Sequence, residues 1–264
     1  MPKISIKAET LFHIGSFQVT NSLFLSFFIL LLFIYIAYRY NKESTSGKYT
    51  GFYFFINLIL RNLYDLFESI VHDKINVFFP ILAAFFIWII VQNWSGLLPG
   101  VGSVTVGVKE PVSNVQVVEE QTSGTVSQAE EGKIEQVPLF RGNNADINAT
   151  LALAIVAVVM VQVYGVQFLG FFRYMKKFID ISNPINFILG ILEVMSEVSK
   201  ILSFAFRLFG NIFAGEVLLT IVAFLVPVLA SFPFLILEVF VGFVQALVFS
   251  MLTSVFFSLA VSHH

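Results

Sequence analysis

The chain has 264 residues, 57% of them hydrophobic and 12% charged, with a mean hydropathy of +0.86. Soluble globular proteins carry about 25% charged residues, so this chain has too little charge to cover a water-facing surface of its size. That excludes soluble enzymes, nucleic-acid binders and disordered chains, and leaves a polytopic integral membrane protein. The formal net charge of −2 says little about partners, because in a membrane protein the placement of charge matters more than its sum. With no cysteine, there are no disulfides, thiolate metal sites or thiol nucleophiles.

The first apolar stretch runs over residues 21–38 without a charge. That is about the 20 residues a helix needs to cross a bilayer. Lys3, Lys7, Glu9 and His13 precede it, and Arg39, Lys42 and Lys48 follow where a small-residue cleavage site would stand. It therefore reads as an uncleaved span rather than a signal peptide. Residues 50–75 alternate Arg61, Asp65, Glu68, His72, Asp73 and Lys74 with Phe, Ile and Leu at helical spacing. This pattern predicts an amphipathic helix lying in the membrane interface. A second span is expected at 77–98, with Trp88, Asn93 and Trp94 toward its far end and Pro99 and Gly100 ending it.

Residues 99–145 change character: Glu110, Glu119, Glu120, Glu130, Glu131 and Glu135 sit among Val, Ser, Thr, Gln and Gly. They read as a solvated loop whose Val-rich stretches can pair as a hairpin, with no chemistry assigned. A third span at 147–172 is followed at once by Arg173, Lys176 and Lys177. Basic residues thus follow spans one and three, while the loop after span two is acidic. The positive-inside rule then puts the N-terminus and 99–145 outside, and 39–75, 173–180 and the C-terminus inside. Asn183-Pro184 is a helix start, and no proline recurs until Pro227. About 43 residues of helix would be roughly 64 Å long, against about 30 Å of hydrocarbon, so the helix over 184–226 must tilt or curve. Pro227, Ser231 and Pro233 mark a turn before a last helix at 234–261. The expected fold class is all-α integral membrane, a single membrane domain over 1–264. It comprises five membrane-crossing helices plus one interfacial amphipathic helix, and ends in a long tilted helical hairpin.

Ionisable groups inside apolar spans are costly and normally face protein or water. The long helix carries Glu193, Glu197, Lys200, Arg207 and Glu216. With Arg207 at zero and 100° per residue, Glu193 falls at about +40°, Ser196 at about −20°, Lys200 at about +20°, Ser203 at about −40° and Asn211 at about +40°. These form one narrow polar stripe leading from the inner end of the helix to Arg207. Glu216 falls at about 180°, on the opposite face and farther outward. Glu238 and Gln245, seven residues apart, share a face of the last helix. Two polar routes result that do not join, with Arg207 between them. A guanidinium stays protonated, so it can repel cations and attract a carboxylate but cannot relay a proton by losing one.

Several of these residues also fit plainer roles. Glu193, Glu197 and Lys200 can snorkel to the interface. Ser196 and Ser203 can bond back to their own helix, and Asn211 and Gln245 can be interhelical glue. Gly210, Ala214 and Gly215 are small enough to admit another helix. His263 and His264 read as a solvated tail rather than metal ligands. No phosphate-cradling glycine loop or nucleotide motif is present, so this chain has no recognisable ATP site, cofactor site or metal site.

Four segments carry a family resemblance. The run Arg207-Leu-Phe-Gly-Asn-Ile-Phe-Ala-Gly-Glu216 closely resembles the signature of subunit a of the F-type ATP synthase. Residues 141–154, beginning Arg141-Gly-Asn-Asn-Ala-Asp, and residues 245–253 agree with it, and residues 12–21 look like the bacterial form. The resemblance implies the stationary half of a proton turbine facing a rotating ring of c-subunits, each with one essential carboxylate. It implies that Arg207 is the essential stator arginine. It also implies that Glu216, Glu238, Asn211 and Gln245 belong to the outer half-channel, and Glu193 and Ser196, with Lys200 nearby, to the inner one. Some members of the family have His at the Glu238 position, and the loop at 100–137 is longer than the family leads one to expect. The implied partners are the c-ring, the peripheral-stalk b subunits, the soluble ATPase sector and the lipid bilayer, with no nucleic acid and no small molecule beyond the translocated ion. The implied location is the bacterial plasma membrane, an organellar inner membrane being the alternative. The competing class is an ion-coupled secondary transporter with an intramembrane Arg/Glu site; such proteins usually show inverted repeats and a broken helix, and neither is visible.

Overall fold

The computed structural model of the chain describes residues 9–14, 17–98, 101, 104–109, 134–178, 184–225 and 231–261. Seven helices account for most of them: α1 (Asn21–Ser46), α2 (Gly51–Val71), α3 (Ile75–Gly96), α4 (Ile147–Leu169), the short α5 (Phe171–Lys176), α6 (Pro184–Leu225) and α7 (Ser231–Val261). Five helical segments are long and apolar enough to cross a membrane, with α2 and α3 forming one of them. The chain is an all-α integral membrane protein.

The helix ends have local causes. Thr20 caps α1, its Oγ1 accepting from the Leu23 amide, and Gly47 closes it in the left-handed region at φ 68°. Asp146 caps α4 by accepting from the Asn148 amide at 3.0 Å. α1 continues past residue 38 to Ser46, because Arg39 and Glu43 pair one turn apart at 3.2 Å and stabilise the extra turns. The amphipathic segment stops at Val71 rather than 75. A 3₁₀ turn at His72–Lys74, with His72 at φ 52°, turns the chain into α3. α7 begins at Ser231, three residues before the expected start, because Pro233 falls in the first helical turn, where its missing N–H costs nothing. Pro227, expected to mark the turn, lies outside the described residues, as do His263 and His264.

Two small antiparallel hairpins sit at the end of the bundle where α1 starts. β1 (Thr10–Ile14) pairs with β2 (Phe17–Thr20), and β3 (Thr105–Lys109) with β4 (Ile134–Pro138). The first has no counterpart in the sequence reading; the second realises the pairing of Val-rich stretches. Asn21 Nδ2 donates to the Pro138 carbonyl at 3.1 Å and ties the loop back to α1. The opposite, basic end carries Lys74 and Lys177; there Lys74 Nζ donates to the Val261 carbonyl at the end of α7.

The core lies between α2, α3, α4, α6 and α7. Phe78 stacks on Phe257 with centroids 5.0 Å apart and meets the edge of Tyr164 at 4.9 Å, and Phe204 packs on Phe249 at 4.7 Å. Ala154, Ala157, Ala205 and Ala246 are fully or almost fully buried and let the backbones approach. In lipid the driving force for this association is packing and polar contact rather than release of water. The polar contact clusters at the hairpin end. Asn144 donates to Asn93 Oδ1 at 2.6 Å, Asn93 to the Gly242 carbonyl at 3.0 Å, and Ser22 to Asp146 Oδ2 at 3.0 Å. These bonds knit α1, α3, α7 and the approach to α4 at one level. α6 is covered least: 11% of its most apolar window is buried, against 50% for α2–α3. A face bearing Ile188, Leu192, Met195, Phe206, Ile221 and Phe224 is thus left for lipid or a partner.

Candidate functional site

The middle of the stripe predicted on α6, from Ser196 to Arg207, forms one wall of a cleft. Ser196, Ser199, Lys200, Ser203 and Arg207 line it from α6, with Phe204 below and Leu252 and Phe256 opposite on α7; its volume is ≈ 370 Å³. Its residues recur every three or four positions, which on a helix is one face. Ser199 was not singled out from the sequence, although it lies beside Ser196 and Ser203 at that spacing. Its Oγ donates to the Met195 carbonyl at 2.8 Å. Lys200 is paired at 2.7 Å with Glu197 and lies 4.9 Å from the Phe256 ring centroid. Glu193 is set apart from the cleft, paired at 2.7 Å with Lys177.

Arg207 is the last residue of the cleft toward the hairpin end. Among the described residues it makes one hydrogen bond, donating from Nη2 to Ser203 Oγ at 3.4 Å, and no ion pair within 4.0 Å. Leu208, next to it, is fully buried, whereas Phe206 is exposed, so Arg207 stands at the margin between the packed and open faces of α6. One turn on, a Cβ added to Gly210 would meet nothing within 4 Å. The guanidinium thus opens onto a small-residue, uncovered surface. A charge so placed in hydrocarbon needs a counter-charge or water to offset its cost.

Beyond Arg207 the polar groups belong to different contacts. Asn211 Nδ2 donates to Gln245 Oε1 at 2.6 Å and joins α6 to α7. Gln245 is buried, and its Nε2 has no partner. Glu238 is buried against Gly215, where a Cβ would run into its carboxylate. Only glycine leaves that seat open. Glu216 pairs with Arg141, with Nη2 to Oε2 at 3.7 Å. The two carboxylates therefore make separate contacts, Glu216 with Arg141 and Glu238 with Gly215. In the sequence, Arg141 stands out only as the first residue of a motif. A cation directly ahead of an apolar span is the signal that could have marked it, and its side chain is 8% exposed.

The sequence profile of the ATP synthase A chain family matches residues 20–258. ATP synthase subunit a of Legionella pneumophila strain Paris is 25% identical over 257 residues, covering 97% of this chain and 93% of the relative. That of Moorella thermoacetica is 26% identical over 262 residues, covering 98% and 99%. That of Syntrophobacter fumaroxidans is 27% identical over 210 residues, covering 79% and 71%.

Proposed function

Because the chain belongs to the ATP synthase A chain family, and so to the membrane sector of an F-type ATP synthase, we propose that it is the stator against which a ring of c-subunits turns, with two proton half-channels meeting that ring at different depths. The observation that carries this reading is Arg207: a permanent cation at the head of a polar cleft, at the edge of the uncovered face of α6, with no acidic partner among the described residues of its own chain. A carboxylate on a passing ring subunit is the group it is built to meet.

The inner half-channel is the cleft, with Ser196 and Lys200 on its wall and Glu193 at the basic end. The outer one comprises Glu216, Glu238, Asn211 and Gln245 toward the hairpin end. The unpartnered Gln245 Nε2 suits a site where water enters, since buried polar groups are otherwise satisfied. ATP is bound by another subunit, because this sequence has no nucleotide motif. Solubilised in mild detergent, the tagged chain is expected to bring down an oligomeric ring of small hairpin proteins, the stalk b subunits and a soluble ATPase. Recovery of a monodisperse chain alone from native membranes would reject the stator.

In the cell the hairpin end faces outward and the basic end faces the cytoplasm of a bacterium, by the Arg and Lys asymmetry. The chain has no native cysteine, so single cysteines report cleanly. Val104→Cys, on the exposed loop, should react with an impermeant thiol reagent added outside intact cells, and Ser44→Cys, at the end of α1, should not. The reverse pattern would invert the topology and exchange the two routes.

A further inference from the structure

The basic end of α4 holds a second polar cluster that the two routes leave unused. α4 ends at Gly170, whose φ of 84° and ψ of 147° belong to a region that side chains avoid, and the chain turns there into α5. One turn later Tyr174 folds back onto α4. Its ring fills the notch at Gly165, where an added Cβ would strike it, and its hydroxyl donates to Gln162 Oε1 at 2.5 Å. Tyr174 is 3% exposed. Three residues on, Lys177 reaches across to α6 and pairs with Glu193 at 2.7 Å. Glu197, the next carboxylate along α6, is paired with Lys200 of the cleft and has a buried Oε2 without a partner; Gln162 Nε2 is likewise buried and unsatisfied.

We propose that Tyr174 is a positioning residue for the inner route: it latches the α4–α5 elbow and thereby holds Lys177 on Glu193, three residues before the first cleft residue, Ser196. This rests on the reading of the cleft as that route. The latch needs three sequence features together. Gly165 gives the ring room, Gly170 makes the corner, and the phenol finds Gln162. Burial pushes the phenol up to about 12, and the Glu197 and then the Glu193 carboxylate add to the shift. The hydroxyl therefore stays protonated and remains a donor to Gln162 throughout the working pH range. The charged groups around it are Glu193, Glu197 and Lys200 on α6 and Lys177 beyond α5. The latch fixes where the lysine charge stands without itself exchanging a proton.

The test measures initial rates of ATP-driven acidification in vesicles holding the assembled complex. Tyr174→Ala and Lys177→Gln should each slow pumping about three- to tenfold, and the double variant should be no slower than the worse single one, as expected of residues acting through one contact. Lys177→Arg, which keeps the charge, should recover most of the rate lost in Lys177→Gln when Tyr174 is intact and little of it in Tyr174→Ala. If Tyr174→Ala fails to assemble, Gly165→Ala, which displaces the ring, and Tyr174→Phe, which removes only the hydroxyl, take its place in the same cycle. Losses that multiply, or a Lys177→Arg variant that recovers the rate equally with and without the latch, would overturn the proposal. Failure of the stator reading itself would show differently: Arg207→Ala in the same vesicles would pump at the normal rate.

Discussion

Arg207→Ala is expected to abolish both ATP synthesis and ATP-driven pumping. The ring carboxylate must give up its proton as it passes the stator, and a fixed cation favours the ionised form. At an effective dielectric of about 20, a pair 4 Å apart gains roughly 4 kcal/mol before desolvation. Desolvation offsets part of this, so the carboxylate is held strongly enough to ionise and weakly enough to move on. Alanine removes the attraction outright. Arg207→Lys should fail as well, because a compact ammonium lacks the planar fork that spans two carboxylate oxygens and can itself deprotonate. The Ser203 hydroxyl at 3.4 Å orients the guanidinium but supplies no charge. Ser203→Ala should therefore retain coupling at a reduced rate. Rates of ATP synthesis in energised vesicles distinguish the three variants.

Glu216→Gln combined with Glu238→Gln is the second large effect, expected to slow proton flux about a hundredfold, the range that positioned acid–base groups contribute. The two single variants should differ. Glu238 is buried against Gly215 with no basic neighbour among the described residues, so Glu238→Gln removes a proton carrier and little else. Glu216→Gln also deprives the buried Arg141 of a carboxylate at 3.7 Å, so it should lower the thermal stability of the complex as well as its flux. Gly215→Ala supplies a control that leaves both carboxylates in place: its methyl group displaces the Glu238 side chain from its seat and should reproduce the flux loss of Glu238→Gln. Unchanged flux in the double Gln variant would remove these residues from the outer route.

The long helix, the five crossings and the polar stripe could be read from spacing alone, because a bilayer punishes every misplaced charge and apolar length maps directly onto span length. Ser196, Lys200, Ser203 and Arg207 share a cleft for the same reason that they share a wheel sector. Contacts between distant segments were not legible. Nothing in the local pattern says that Lys177 meets Glu193, that Arg141 meets Glu216, or that Tyr174 folds into Gly165. Each depends on how helices far apart in the chain are packed. Helix ends were missed where the cause is tertiary or stereochemical, as at His72, which turns the chain with a positive φ, and at Pro233, which is compatible with a first turn. The β1–β2 hairpin leaves little trace in the sequence because its strands are short and their alternation is weak.

Arg207 is proposed both to drive deprotonation of the ring and to keep the two routes apart. This double role is tested most directly by measuring ATP-driven acidification and passive proton conductance in the same vesicles, with the assembled complex carrying Arg207→Ala. The expected result is no acidification together with a conductance equal to or above that of the unaltered complex. Near-normal acidification by Arg207→Ala would contradict it.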